Sequence, residues 1–194
     1  IYFSANSFRN TFIIRFQMND LAIRYETIPY EAIGHFIPFA KQAYIASYSH
    51  LWTPENLQHY LNLEYSHERI ARFFDHPNQS LWWALLQNQP VGYAIAAAKS
   101  SLGPIHHKAA FLHRLYLLPQ AQGKGIGQAL CQHAEHFART TGETEIWLYC
   151  MALAPAVQFY AKNGYHTIRT THFNRIPMRN QALSNIFVMK KTLN

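Results

Sequence analysis

Hydrophobic and polar positions change period several times along the chain, and each change marks an element. Leu21, Ile23 and Tyr25 alternate with Ala22, Arg24 and Glu26, which predicts a strand over 21–28. Pro29 ends it, and Ile33, Ile37, Ala40 and Tyr44 recur at helical spacing, predicting a helix over 30–48. Thr53-Pro54-Glu55 reads as an N-cap followed by proline at the first helical position. That second helix buries Leu57, Tyr60 and Leu61 and is expected to continue through 64–74, until His76-Pro77-Asn78 closes it.

Strands are predicted over 81–86 and 91–98, separated by the turn residues 87–90. A loop follows over 100–108, then a third strand over 109–118, stopped by Pro119. A glycine-rich turn leads into a helix over 125–140, stopped by Gly142. The rest reads as a strand (145–150), a helix (155–163) capped by Gly164, and strands near 165–171 and 186–191. No repeat, low-complexity run or linker interrupts this order, so 18–194 is expected to be one domain of mixed α/β (α+β) class.

Composition narrows the picture. The 194 residues are 49% hydrophobic and 15% aromatic, which excludes a disordered chain and allows a sizeable core. Cys131 and Cys150 cannot build a disulfide framework and fit a reducing, cytoplasmic setting. No apolar run reaches the roughly 18 residues of a membrane span, so no membrane partner is expected. Residues 1–17 carry Arg9 and Arg15 but no acid, and lack the apolar stretch and small-residue cleavage site of a signal peptide. They are expected to be a non-native or disordered extension outside the fold.

The net charge of +7 attracts anions: nucleic acid, acidic surfaces or a phosphorylated cofactor. A nucleic-acid site would show a basic run with interleaved aromatics, and the densest cluster is only Arg169, Arg175 and Arg179. Nucleic acid is therefore not expected as a partner.

The glycine turn, Gln122-Gly123-Lys124-Gly125-Ile126-Gly127-Gln128, follows a strand and opens an amphipathic helix. Such a helix start leaves backbone N–H groups unpaired, carries partial positive charge, and suits a phosphate. A Walker-type loop would need Ser or Thr after Gly123-Lys124, where Gly125 stands. A dinucleotide fingerprint would need Gly-x-Gly-x-x-Gly; the spacing here is Gly123-x-Gly125-x-Gly127, although Glu145 lies near the distance of a ribose-binding acid.

Gln122-x-x-Gly125-x-Gly127 after Leu115-Tyr116-Leu117-x-Pro119, with Phe159-Tyr160-Ala161-Lys162-Asn163-Gly164-Tyr165 downstream, resembles the GNAT superfamily of acyl-CoA-dependent N-acyltransferases. The linked motifs span about residues 109–166. The resemblance implies a mixed, mostly antiparallel central sheet with helices on both faces, splayed between two parallel central strands. Leu115, Tyr116 and Leu117 would pair through their backbone with the pantetheine arm of acetyl-CoA. Gln122, Gly123, Lys124, Gly125, Ile126, Gly127 and Gln128 would hold the pyrophosphate. Tyr160 would protonate the departing CoA thiolate.

The base that receives the amine proton is less plainly assigned by the resemblance. His113 stands where related sequences commonly have Glu; its ordinary pKa near 6.5 suits general-base work, and strand alternation would place it on one face with Leu115 and Leu117. A half-buried, hydrogen-bonded histidine is the competing reading of the same residue. Another family position for a base falls on Leu148, and the usual pantetheine-binding Asn is replaced by Leu153. The implied function is direct transfer of acetyl from acetyl-CoA to a primary amine in a ternary complex, with a small amine, polyamine or protein amine as acceptor. Glu64, Glu68 and Asp75 could attract a cationic acceptor. A CoA-binding regulatory module is the alternative, and a homodimer is the expected assembly if there is one. No metal is expected: His133 and His136 lack a third ligand and read as exposed helix residues, and His106-His107 as a loop pair. Trp82-Trp83 reads as one core and one exposed ring, and Cys131 as a buried, unactivated thiol.

Overall fold

The computed structural model describes residues 23–100 and 109–194; the expected extension at 1–17, most of the loop at 100–108 and the pair His106-His107 lie outside the described residues. Strands β1 (Ile23–Thr27), β2 (Gln79–Leu86), β3 (Gln89–Ala97), β4 (Ala109–Leu117), β5 (Glu145–Met151), β6 (His166–His172) and β7 (Asn185–Thr192) form one sheet. Their order is β1-β2-β3-β4-β5-β7-β6, antiparallel throughout except for the central parallel pair β4–β5. Helices α1 (Ile33–Tyr48), α2 (Pro54–Glu64) and α3 (His67–Asp75) cover one face, and α4 (Ile126–Thr140) and α5 (Ala156–Lys162) the other. The expected mixed, mostly antiparallel sheet with helices on both faces is therefore the observed architecture.

Side-chain size sorts the two faces. Along β3, Tyr93 and Ile95 face α1–α3, joining Phe36, Trp52, Tyr65 and Ile70. Ala94 and Ala96 face α4 beside Ala84, Ala110, Ala129, Ala134 and Ala138. Small residues on both sides of that contact let the helix approach the sheet closely while excluding water from apolar surface. Trp82 joins this second cluster and Trp83 packs against the first, so neither ring is the free face expected from the pair.

Three boundaries differ from the sequence reading for local reasons. The helix expected over 54–74 breaks at Tyr65-Ser66, because the Ser66 hydroxyl accepts from the Arg69 N–H and starts α3 anew. The turn between β2 and β3 is only Gln87-Asn88, both with positive φ (51° and 64°), the conformation that matches the right-handed twist of a hairpin. The first helix begins as a short 3-10 turn, Tyr30–Ala32, before α1. Among the described residues, no helix is long and apolar enough to cross a membrane.

Candidate active site

The site begins where two strands part. β4 and β5 pair in parallel only from Ala109↔Glu145 to Leu112↔Leu148. β4 then continues to Leu117 on β3, and β5 to Met151 on β7. Between them opens a cleft whose walls are strand edges. On the β4 wall, the backbone groups of residues 113–117 that face β5 have no strand partner among the described residues.

A bulge marks the opening. Ile95 pairs with Arg114 and Ala96 with Leu112, leaving His113 as the extra residue. The extra residue reverses which parity faces which helices. Ala110 and Leu112 face α4 before it, and Leu115 and Leu117 after it. His113 therefore does not share a face with Leu115 and Leu117, as simple alternation predicted. Its ring lies against Phe111 (4.1 Å) and Phe73 (5.2 Å). Burial, together with the Arg114 and Arg69 guanidinium groups, lowers its pKa from 6.5 to about 3. At neutral pH it is an uncharged ring of low basicity, which removes the ordinary pKa on which the base assignment rested.

At the mouth on the α4 side lies the glycine turn. Gly123 and Gly125 hold φ of 71° and 75°, left-handed values that side chains other than Asn or Asp seldom adopt. Gly125 caps α4 without a side-chain bond. Ala129 is the first amide of the helix to find a carbonyl, that of Gly125. Among the described residues, none of the six N–H groups from Gly123 to Gln128 donates to the protein. Gly127 sits where a Cβ would press on Leu117 Cδ1 at 3.2 Å and on the Phe159 ring at 3.5 Å, so it seats the helix start against the end of β4. Gln122, Lys124 and Gln128 are exposed around this row of amides.

Tyr160, on α5, is buried in the cluster that joins α4 to the sheet, with its ring 5.1 Å from Phe159 and 5.5 Å from Tyr165. Its hydroxyl makes no hydrogen bond among the described residues. Burial, reinforced by the neighbouring Cys131, Cys150 and Tyr48, pushes the phenol well above its ordinary pKa. The same burial raises the Cys131 and Cys150 thiols to about 12. Cys131 is thus the inert thiol the sequence suggested. Leu153 is exposed in the turn after β5.

The α1–α3 side of the cleft was largely missed by sequence reasoning. Tyr116 of β4 and Met151 of β5, both beyond the parting point, pack into a cluster with Tyr44, Tyr48, Trp52, Tyr60 and Phe173. Arg114 is buried, its guanidinium 4.3 Å from the centroid of the Tyr65 ring. Its Nη2 donates to the Glu64 carbonyl (2.9 Å) and to Glu64 Oε2 (3.2 Å). Arg69 Nε donates to the same oxygen at 3.4 Å, and Arg175 Nη1 to Oε1 at 2.8 Å. Glu64 is thus enclosed by three arginines, and Glu68 pairs with Arg72. The carboxylates suggested as a cation funnel are occupied, apart from exposed Asp75 at the far end of α3. Tyr60 read as a buried residue of the second helix and Arg175 as one of a loose basic cluster, and no local signal brings the two together.

Among the described residues no group of three or more His, Cys, Asp and Glu side chains could hold a metal. His133 is half-buried beside Tyr25 (5.1 Å) instead of exposed, and burial lowers its pKa.

Comparison with known proteins places this arrangement. The chain matches the model of the family described as Acetyltransferase (GNAT) family over residues 39–165. Comparison with curated protein sequences gives no match. Among solved structures, the PaiA N-acetyltransferase of Thermoplasma acidophilum in complex with coenzyme A is similar, with TM-score 0.69 and 22% identity. That alignment covers 88% of this chain and 99% of the other. The ribosomal-protein-S18-alanine N-acetyltransferase of Escherichia coli aligns with TM-score 0.63 and 15% identity over 89% of this chain and 94% of its own.

Proposed function

We propose, for a chain that belongs to the acetyltransferase (GNAT) family and is an acyl-CoA-dependent N-acetyltransferase, that it moves an acetyl group from acetyl-CoA directly to a primary amine. The observation that carries this reading is the conjunction of a cleft between parted parallel strands and six unbonded amides at its mouth.

The amides of Gly123, Lys124, Gly125, Ile126, Gly127 and Gln128 would take the pyrophosphate oxygens, with the α4 dipole and Lys124 adding positive potential. The free edge of Leu115, Tyr116 and Leu117 would pair with the amide groups of the pantetheine arm, as an added strand does. This aligns the thioester beside the cleft and leaves the amine to approach from the α1–α3 side. The amine nitrogen attacks the thioester carbonyl carbon, the C–S bond breaks, and the thiolate takes the proton of Tyr160. The raised pKa keeps Tyr160 protonated at every working pH. With His113 uncharged and weakly basic, the amine proton leaves to water through the open cleft, and water returns a proton to Tyr160.

Thermal unfolding with and without acetyl-CoA tests the donor site, on wild type and on Gln128→Glu. Gln128 is exposed in the first turn of α4, so a carboxylate there favours the helix dipole and leaves the fold intact. Saturating acetyl-CoA should raise the wild-type midpoint. The variant should lose affinity by roughly tenfold, on the order of 1 kcal/mol of charge repulsion at a helix N-terminus. No shift in wild type removes the reading.

A further inference from the structure

The α1–α3 side of the cleft carries an excess of positive charge that the donor does not need. One carboxylate, Glu64, is shared by Arg69, Arg114 and Arg175, which leaves two positive charges uncompensated among the described residues. Arg114 is buried and bonded twice to Glu64, so it holds that carboxylate in place beside β4, two residues beyond the point where the strands part. Arg175, on the segment joining β6 to β7, is more than half exposed and touches Glu64 through Nη1 alone. Its Nε and Nη2 make no hydrogen bond among the described residues. Phe173 and Ile176 of the same segment pack into the aromatic cluster that floors the cleft, and Asn56 Nδ2 donates to the Pro177 carbonyl. The segment is therefore held, and Arg175 with it.

Resting on the acetyl-transfer reading, we propose that the acceptor amine carries a carboxylate, which Arg175 receives through its two remaining donors. A planar guanidinium fixed at one nitrogen suits a carboxylate by paired N–H···O bonds. Among the described residues, a cationic acceptor would meet two excess positive charges and no free acid at the parting point. The carboxylate can belong to a free α-amino acid or to the second side chain of a peptide with a free N-terminus; the chemistry is the same.

Initial rates with acetyl-CoA decide it. One arm pairs α-amino acids with their carboxamides and decarboxylated amines; the other pairs a peptide with Asp at its second position with its Asn counterpart. The carboxylate form of one arm should show kcat/KM at least about tenfold higher than its neutral partner, and the arm that does so identifies the source. Arg175→Gln should bring the pair to parity by raising KM, Arg175→Lys should keep part of the preference, and the exposed Arg72→Gln should change nothing. Equal rates, faster transfer to neutral or decarboxylated amines, or a preference that survives Arg175→Gln overturns the inference and leaves acetyl transfer standing. Transfer to no amine at all, with the acetyl-CoA thermal shift intact, overturns this inference and the transfer reading together but not donor binding.

Discussion

The two sides of the cleft handle charge by different means. On the α4 side a row of backbone amides, from Gly123 to Gln128, has no acceptor among the described residues, with one lysine nearby. On the α1–α3 side the charges belong to side chains, and they are drawn from distant parts of the chain. Arg114 lies 50 residues from Glu64 and Arg175 111 residues from it. A backbone site depends on φ values that glycine permits and on the start of one helix, so it is built within a single local segment. A side-chain site needs α2, α3, β4 and the β6–β7 segment to arrive together. The first fits a constant partner such as a phosphorylated carrier, and the second can be retuned by substitution without disturbing the sheet.

Experiments can press on that contrast. The largest effect is expected where chemistry meets the α4 side: Tyr160→Phe keeps the ring packing and should lower kcat by roughly 10²–10⁴-fold, the usual span for loss of a general acid. The acetyl-CoA thermal shift should persist, and an unchanged kcat would mean that water supplies the proton. Next comes Glu64→Ala, which leaves Arg114 buried without its carboxylate, bonded only to a backbone carbonyl. It should cost about 3–5 kcal/mol of stability, the usual penalty for stranding one half of a buried pair, read as a lowered unfolding midpoint. A cost below about 1 kcal/mol, the range of surface pairs, would show that the arginine cluster is solvated and the contrast weaker than drawn.

The last effect, spread over several pH units, concerns His113. The unfolded chain binds a proton below about pH 6.5, whereas the folded ring does so only near 3. Stability contributed by the neutral ring is complete above about 6.5 and falls as pH drops toward 3, by at most about 1.4 kcal/mol per pH unit. His113→Phe should flatten that part of the acid limb in denaturant titrations; an unchanged slope would place the histidine in contact with solvent.

Much of the molecule was legible in its sequence. Period-2 and helical spacing located the strands and helices, and proline and glycine marked most of their ends. The glycine turn was readable because positive φ restricts residue choice at Gly123 and Gly125. The break at Ser66 was missed because the apolar pattern of α2 runs on into α3, although a serine three residues before Arg69 is a helix-start signal. The bulge at His113 left no such mark. It lies in an apolar and aromatic run broken only by Arg114, so alternation predicted a face that one extra residue reversed. Glu64 read as a free acid for the same kind of reason, since nothing within a few positions of it announces Arg114 or Arg175.

By itself, then, the chain's sequence determined the order of elements, the strand–turn–helix that exposes a row of amides, and the family to which it belongs, because each depends on spacings of a few residues. Only the tertiary structure decided where β4 and β5 part, which face His113 occupies, and that three arginines close on one carboxylate. Those features arise from contacts between residues tens of positions apart, whose pairing is set by the registers of the sheet and by what must be buried against it.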